Sequence, residues 1–318
     1  MLSAFFLATT ILLPVSVLAA SYSRTQNIVG TGFYDAFDFE AIPDPTHGRV
    51  NYVSEATARA LNLTYASGNT FILRADSTTV INDASPVGRN SVRIISKSSY
   101  STHVAVFDVV HMPQGCGTWP AIWETDATNW PRGGEVDILE GVNDQGPDTV
   151  TLHTSPGCTM PGARVQSGTA LQLDCNTAVN ANSGCGVSVG QSLSYGPAFN
   201  ANGGGWYAIE RTTAFISVWF WPRGAGNVPS DVRNGRGTVV TDNWGIPVAS
   251  FPNTDCNFPQ FFDANNIIIN LTLCGDWAGN ANVYAASGCP ATCSSFVNAN
   301  PAAFAQAYFQ FNAINIYA

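Results

Sequence analysis

The sequence predicts an all-β fold, a sandwich of two antiparallel sheets, on three observations. Short runs rich in β-branched and aromatic residues recur between turn formers, helical periodicity is scarce, and 29 Gly and 18 Pro are spread among the runs. Strands that follow one another without intervening helices favour antiparallel layers over alternating βα units.

Taken in order, residues 1–20 are expected to lie outside this fold. AFFLATTI followed by LLPVSVLAA is a short apolar run ending in small residues, the pattern of a secretory signal peptide cleaved after Ala19 or Ala20. No later run approaches the roughly 20 uninterrupted apolar residues of a membrane span. Residues 21–318 are then expected to form one domain, secreted and extracellular, in the size range that large β sandwiches reach.

Six strands stand out: SVRIISK, STHVAVFDVVHM, GGEVDILEGV, GWYAIERTT, AFISVWFWPR and NNIIINLTLC. Only EATARALNL near Glu55 and NPAAFAQAYF near Asn300 suggest a turn or more of helix, the second opening at Asn300-Pro301. The Gly/Asn/Ser-rich interval 176–205 has strands on both sides and cysteines beside it, which suggests an ordered surface loop and not a linker.

Charge and cysteine content narrow the function classes. Lys and Arg total 13 against 22 for Asp and Glu, with Lys97 the single lysine, so no basic patch can neutralise a row of phosphates; nucleic acid and anionic membrane are excluded as partners. The eight cysteines lie from Cys116 onward, and an even count behind an export signal suggests up to four disulfides. Cys274, Cys289 and Cys293 have the look of a metal cluster, but oxidising export favours disulfides. Two sequons occur, Asn62-Leu63-Thr64 and Asn270-Leu271-Thr272, the second inside an apolar run where its acceptor is less accessible.

The chemistry concentrates in GGEVDILEGVND, residues 133–144, where Glu135, Asp137 and Glu140 crowd a chain that is only 11% charged. On a helix, residues five apart point about 140° apart and the acids scatter, whereas the Val and Ile alternation and flanking glycines suit a strand. A regular strand puts Glu135 and Asp137 on one face and Glu140 on the other, beside Val136 and Ile138, where burying a charge costs several kcal/mol. One extra residue, a β-bulge at Ile138 or Leu139, returns Glu140 to the acidic face and leaves both apolar side chains in the core. The two glutamate Cα atoms would then lie about 13 Å apart. Side chains converging from that distance on a curved strand can approach the ~5–5.5 Å carboxyl spacing of a retaining glycosidase. A solvated polar strand face is the competing account. Trp119, Trp123 and Trp130 weigh against it, because they set wide rings close to the acids.

Together with WPAIW and NWPRGGE upstream, TLHTSPGC downstream and the late LCGDWAG, GEVDILEG resembles the secreted fungal laminarinase-type members of glycoside hydrolase family 16. The E-x-D-x-x-E core has the bulged spacing of that branch and not the E-x-D-x-E of lichenase-type and plant xyloglucan enzymes. The resemblance runs from FDF near Phe37 to FNAINIYA at the end of the chain.

It implies a β-jelly-roll with a concave substrate cleft and an endo-acting, retaining hydrolysis of β-1,3-glucan, laminarin-like, branched through β-1,6 bonds or mixed β-1,3/1,4. Glu135 would be the nucleophile, Glu140 the acid/base, and Asp137 the carboxylate that assists the nucleophile. His153 would be a supporting cleft histidine near the acid/base or a sugar hydroxyl. Trp123, Trp130 and Trp277 would bind substrate, as would Arg93, although a strand arginine often pairs structurally. Trp219 and Trp221 fit the core better, and His103 and His111 have no cleft context. No cofactor is required; some relatives carry a structural calcium, but no ligand cluster here demands one. A monomer acting on β-glucan polysaccharide is expected, with an acidic pH optimum given a pI near 4.7. A transglycosylase on the same fold shares every step up to the glycosyl-enzyme. A non-catalytic β-glucan-binding protein would be expected to lose one of the three acids.

Overall fold

The computed structural model describes residues 20–318, so the leader expected over residues 1–20 lies, but for its last residue, outside the described residues. Two antiparallel sheets dominate. The first carries the acidic motif. Its strands lie side by side in the order Thr169–Ala170, Val187–Ser188, Thr149–His153, Glu135–Glu140, Thr118–Thr125, Asn265–Leu273, Arg93–Tyr100 and Phe37–Phe39. The second runs Thr238–Val240, Ser21–Ile28, Tyr308–Tyr317, His103–His111, Gly205–Arg211, Phe215–Pro222 and Ala249–Pro252. Thr70–Arg74 and Thr64–Ser67 are added beside Tyr308–Tyr317. All six strands expected from periodicity are present.

Alternation explains how the layers meet. In the first sheet Ile94, Ile122, Val136, Leu152, Ile267 and Ile269 turn inward; in the second Ala105, Phe107, Val109, Tyr207, Ile209, Ile216, Val218, Ile314 and Ile316 meet them, all buried in one cluster. The second sheet's outer face is covered as well. There Trp206, Trp219, Trp221 and Trp244 form a separate buried cluster, with Trp244 edge-on to both Trp219 and Trp221. Trp219 and Trp221 are therefore core residues.

Of the two helical expectations, Glu55–Ala60 is a helix whose Ser54 hydroxyl accepts from the Thr57 N–H. The second differs. Pro301–Phe304 is a single 3-10 turn, and the longer helix precedes it at Cys293–Ala299, started by a reciprocal cap between Thr292 and Ser295. The rest of NPAAFAQAYF turns into the strand Tyr308–Tyr317, because Phe309 and Phe311 are drawn into the inter-sheet core. The interval 176–205 is more structured than a loop: it contributes Val187–Ser188 to the first sheet and a short helix, Gly196–Ala201.

All eight cysteines pair, as Cys116–Cys289, Cys158–Cys256, Cys175–Cys185 and Cys274–Cys293. Among the described residues no helix is long and apolar enough to cross a membrane. Asn62 is exposed, whereas Asn270 is buried, its side chain bonded on both sides, so only the first sequon presents a free amide.

Candidate active site

The bulge is where the acid spacing asks for it. Asp137 pairs with Trp123 and Leu139 with Ile122, leaving Ile138 as the extra residue. Val136, Ile138 and Leu139 are all fully buried in the inter-sheet core, and Glu140 returns to the face of Glu135 and Asp137. The strand also starts abruptly. Gly134 has φ +73°, and a Cβ there would lie 2.3 Å from the Phe262 ring, so only glycine fits between Phe262 and the first glutamate.

Each glutamate is held by a tryptophan. The Trp130 indole N–H donates to Glu135 Oε2 at 2.7 Å, and the Trp119 indole N–H donates to Glu140 Oε1 at 2.8 Å. Asp137, 2% exposed between them, faces His153 Nε2 from Oδ2 at 3.4 Å. His153 sits opposite Glu135 on the neighbouring strand and bonds through Nδ1 to Asn182 Oδ1 at 3.0 Å.

These neighbours set the protonation. Burial, then the charge on Asp137, pushes Glu135 up to about 7, against the pull of His153, the Trp130 N–H and Arg93. Burial and Asp137 push Glu140 well above the ordinary range, against the Trp119 N–H and His153, with Glu135 adding to the rise. Burial alone would lower His153. The Asp137 carboxylate 3.4 Å away and the charges of Glu135 and Glu140 override it and raise the ring to about 10. Glu135, Asp137 and His153 present ligand-type atoms within 4.8 Å of one another.

Around this centre, the Trp123 N–H donates to Asn270 Oδ1 at 2.7 Å, and Asn270 in turn donates to the Tyr52 hydroxyl at 3.1 Å. The Arg93 guanidinium lies 5.0 Å from the centre of the Trp123 ring and bonds Glu40 Oε2 at 2.6 Å, with 6% of its side chain exposed. Arg93 thus braces Trp123 from a buried ion pair. Trp277 is half-buried and edge-on to Trp119, their centres 5.6 Å apart. Trp130 is 47% exposed. His103, on the other sheet, reaches Glu124 Oε1 at 2.8 Å inside the core, and His111 is stacked on Tyr308, so neither belongs to the cleft.

Sequence reasoning missed three contributors. Trp119 was read only as a ring near the acids, yet its place two residues from Ala121, the partner of Glu140, puts its N–H within reach of that carboxyl. Asn270 is visible only as a sequon. Asp148 left no signal: fully buried, it accepts the Glu140 backbone N–H at 2.8 Å through Oδ1, while Oδ2 has no hydrogen-bond partner among the described residues. Burial, against the Glu140 N–H it accepts, keeps its carboxyl well above the ordinary range.

The description "XgeA-like, catalytic GH16 domain" matches residues 37–317. The chain belongs to glycoside hydrolase family 16. It is 42% identical over 305 residues to a probable glycosidase of Schizosaccharomyces pombe, covering 95% of this chain and 70% of that protein. It is 36% identical over 322 residues to the endo-1,3(4)-beta-glucanase xgeA of Emericella nidulans, covering 98% of this chain and 50% of that one. This family 16 chain thus spans about half the length of most of the curated relatives it matches. Among solved structures, laminarinase 16A from Phanerochaete chrysosporium is 60% identical with a TM-score of 0.93, covering 94% of this chain and all of that one; it holds 6-O-glucosyl-laminaritriose in both donor and acceptor sites. An elongating family 16 β-1,3-glucosyltransferase is 35% identical with a TM-score of 0.86, covering 93% of this chain and all of that one. The jelly-roll fold of the family is the fold described above.

Proposed function

We propose that the chain is an endo-acting, retaining glucanase that hydrolyses β-1,3-glucan through a covalent glycosyl-enzyme. The observation that carries this is the bulged strand, which sets Glu135 and Glu140 on one face, each held by an indole N–H, with Asp137 between them. Glu135 attacks the anomeric carbon as the leaving oxygen takes the proton of Glu140. Glu140 then takes a proton from water as that water displaces Glu135. Asp137 faces His153, and the charge on that imidazolium favours the ionised form of Glu135 during attack.

Trp123, Trp130 and Trp277 offer ring faces and edges to the sugars, and Arg93 fixes Trp123. The 6-O-glucosyl-laminaritriose bound by the Phanerochaete chrysosporium laminarinase supports a β-1,3-glucan that tolerates β-1,6 branches, and the relatives' 1,3(4) designation supports mixed linkages. The reaction runs on protein groups alone, with no cofactor and no structural calcium. The four disulfides support a secreted, extracellular protein; a monomer with residues 21–318 as its catalytic domain completes the proposal.

The glucosyltransferase likeness favours a second outcome from the same intermediate, transfer to a sugar acceptor in place of water. Anomeric proton signals of products from laminarin separate the two. Early β-anomer release, abolished in Glu135→Gln, supports retaining hydrolysis. Longer oligosaccharides without new reducing ends would point to transfer, and bound glucan with no product would refute both.

A further inference from the structure

The backbone beside the site holds one strained segment that the reaction above leaves unexplained. Asn180, Ala181 and Asn182 have φ of 51°, 53° and 58°, and Gly184 follows at 57°. Consecutive residues of this hand are unfavourable for L amino acids; Asn tolerates the conformation singly, whereas Ala does not favour it. Such strain persists where surrounding structure imposes it, and it clusters at functional sites.

Here the surroundings are identifiable. The turn lies inside the ring closed by Cys175–Cys185, ten residues apart. Both ends of that ring are pinned to the His153 strand: the Thr177 N–H donates to the Thr154 carbonyl at 3.0 Å, and the Cys185 N–H to the Leu152 carbonyl at 3.1 Å.

The turn delivers two things to one imidazole. Asn182 Oδ1 lies 3.0 Å from His153 Nδ1. At Gly184 a Cβ would come within 2.8 Å of His153 Cε1, so the bare backbone lies against the ring. The other ring nitrogen faces Asp137 at 3.4 Å. With an amide carbonyl at one end and a carboxylate at the other, the ring is satisfied only as a donor through both nitrogens. The titratable groups that face it are Asp137, Glu135 and Glu140, all on the neighbouring strand; the turn adds an uncharged amide.

We propose that Asn182 is a positioning residue for the glycosidase reaction: the left-handed turn holds its carbonyl on His153 so that the opposite ring N–H stays directed at Asp137, between the two glutamates. The proposal rests on the reading under Proposed function, in which Glu135 is the nucleophile and the His153 imidazolium favours its ionised form. Asn182 itself needs no contact with substrate. A different acceptor cannot easily replace it, because the carbonyl must arrive from a turn that also clears the ring at position 184.

The test uses the full chain with Asn182→Gly, which accepts the left-handed backbone but removes the carbonyl, and Asn182→Asp, which keeps both. Nitrogen-15 NMR follows the His153 ring through a pH titration, while kcat and KM are measured on laminarin oligosaccharides. The expected result for Asn182→Gly is a folded protein whose His153 titrates at lower pH and whose kcat falls about tenfold or more, with KM within about twofold. Asn182→Asp should restore most of kcat and move the titration up again. An unchanged His153 titration and kcat in Asn182→Gly would overturn the proposal, as would an Asn182→Asp variant no better than the glycine one. If the wild type released nothing from laminarin, the glucanase reading would fail, and the NMR arm alone would still decide whether Asn182 holds His153.

Discussion

Replacing Glu135 by Gln should make the protein more stable near neutral pH while removing its activity. The folded chain raises this carboxyl from 4.5 to about 7, so ionising it is harder in the native state than in the unfolded one. The sign follows from linkage: a group with a raised native pKa carries no penalty below its unfolded value and an increasing one as pH rises through the native value. Between pH 4.5 and 7 the wild type therefore loses on the order of 3 kcal/mol to this single group, at about 1.4 kcal/mol for each tenfold. Glutamine has the same shape, still accepts from the Trp130 N–H through its carbonyl oxygen, and does not ionise. Thermal or urea unfolding of both proteins at pH 4.5 and pH 7 measures the effect. The expected pattern is near-equal stability at pH 4.5 and a variant more stable by a few kcal/mol at pH 7, with hydrolysis abolished at both. A variant no more stable at pH 7, or an advantage that persists undiminished at pH 4.5, would refute the argument that burial beside Asp137 strains Glu135.

Trp119→Phe removes the N–H that lowers Glu140, so the alkaline limb of kcat/KM should move to higher pH and its plateau fall about tenfold; a pH–rate profile checks both. Asp137→Asn removes a charge that raises both glutamates and a partner that raises His153. The acid limb should then move down and the His153 NMR titration fall well below about 10, with kcat reduced. In the wild type both limbs should lie above the ordinary glutamate range, which moves the working pH upward from the acidic optimum that composition suggests. Deleting Ile138 restores a regular strand and turns Glu140 toward the core; activity should vanish and unfolding free energy drop by several kcal/mol, read by urea titration.

The bulge was legible because strand alternation leaves one place for a charge and the acid spacing violates it; conflict with a two-residue period is a strong local signal. The strands that build the two sheets were legible for the same reason, as inward Ile, Val and Phe alternate along each. The partners of the acids were not. Trp119 and Trp130 look alike in the sequence, as rings that stack on sugars or fill a core. Their N–H groups reach carboxyls because of cross-strand register and the chain reversal after Thr125, and neither is written in periodicity. Asp148 and Asn182 come from separate loops, and only the fold brings one to the Glu140 backbone and the other to His153. The helix opening at Asn300 stops after the single turn Pro301–Phe304 because Phe309 and Phe311 gain more from the inter-sheet core than a helical continuation would provide.

Two identical side chains on one strand can take opposite roles only if their surroundings differ in sign. The indole N–H groups do not supply the difference, since they lie at 2.7 and 2.8 Å from Glu135 and Glu140 and favour ionisation of both. Asp137 does not supply it either, because its charge raises both. His153 lowers both carboxyls, and the asymmetry lies in its placement and in Arg93. His153 is directly across the strand pair from Glu135, and Arg93 also pulls that carboxyl down, whereas behind the Glu140 backbone lies Asp148, another buried acid. In the reaction we propose, Glu135 gives up its proton first and Glu140 keeps its own, the order that attack by one and protonation by the other require. The His153 imidazolium faces Glu135 across the sheet, and its direction depends on Asn182 at one end of the ring and Asp137 at the other.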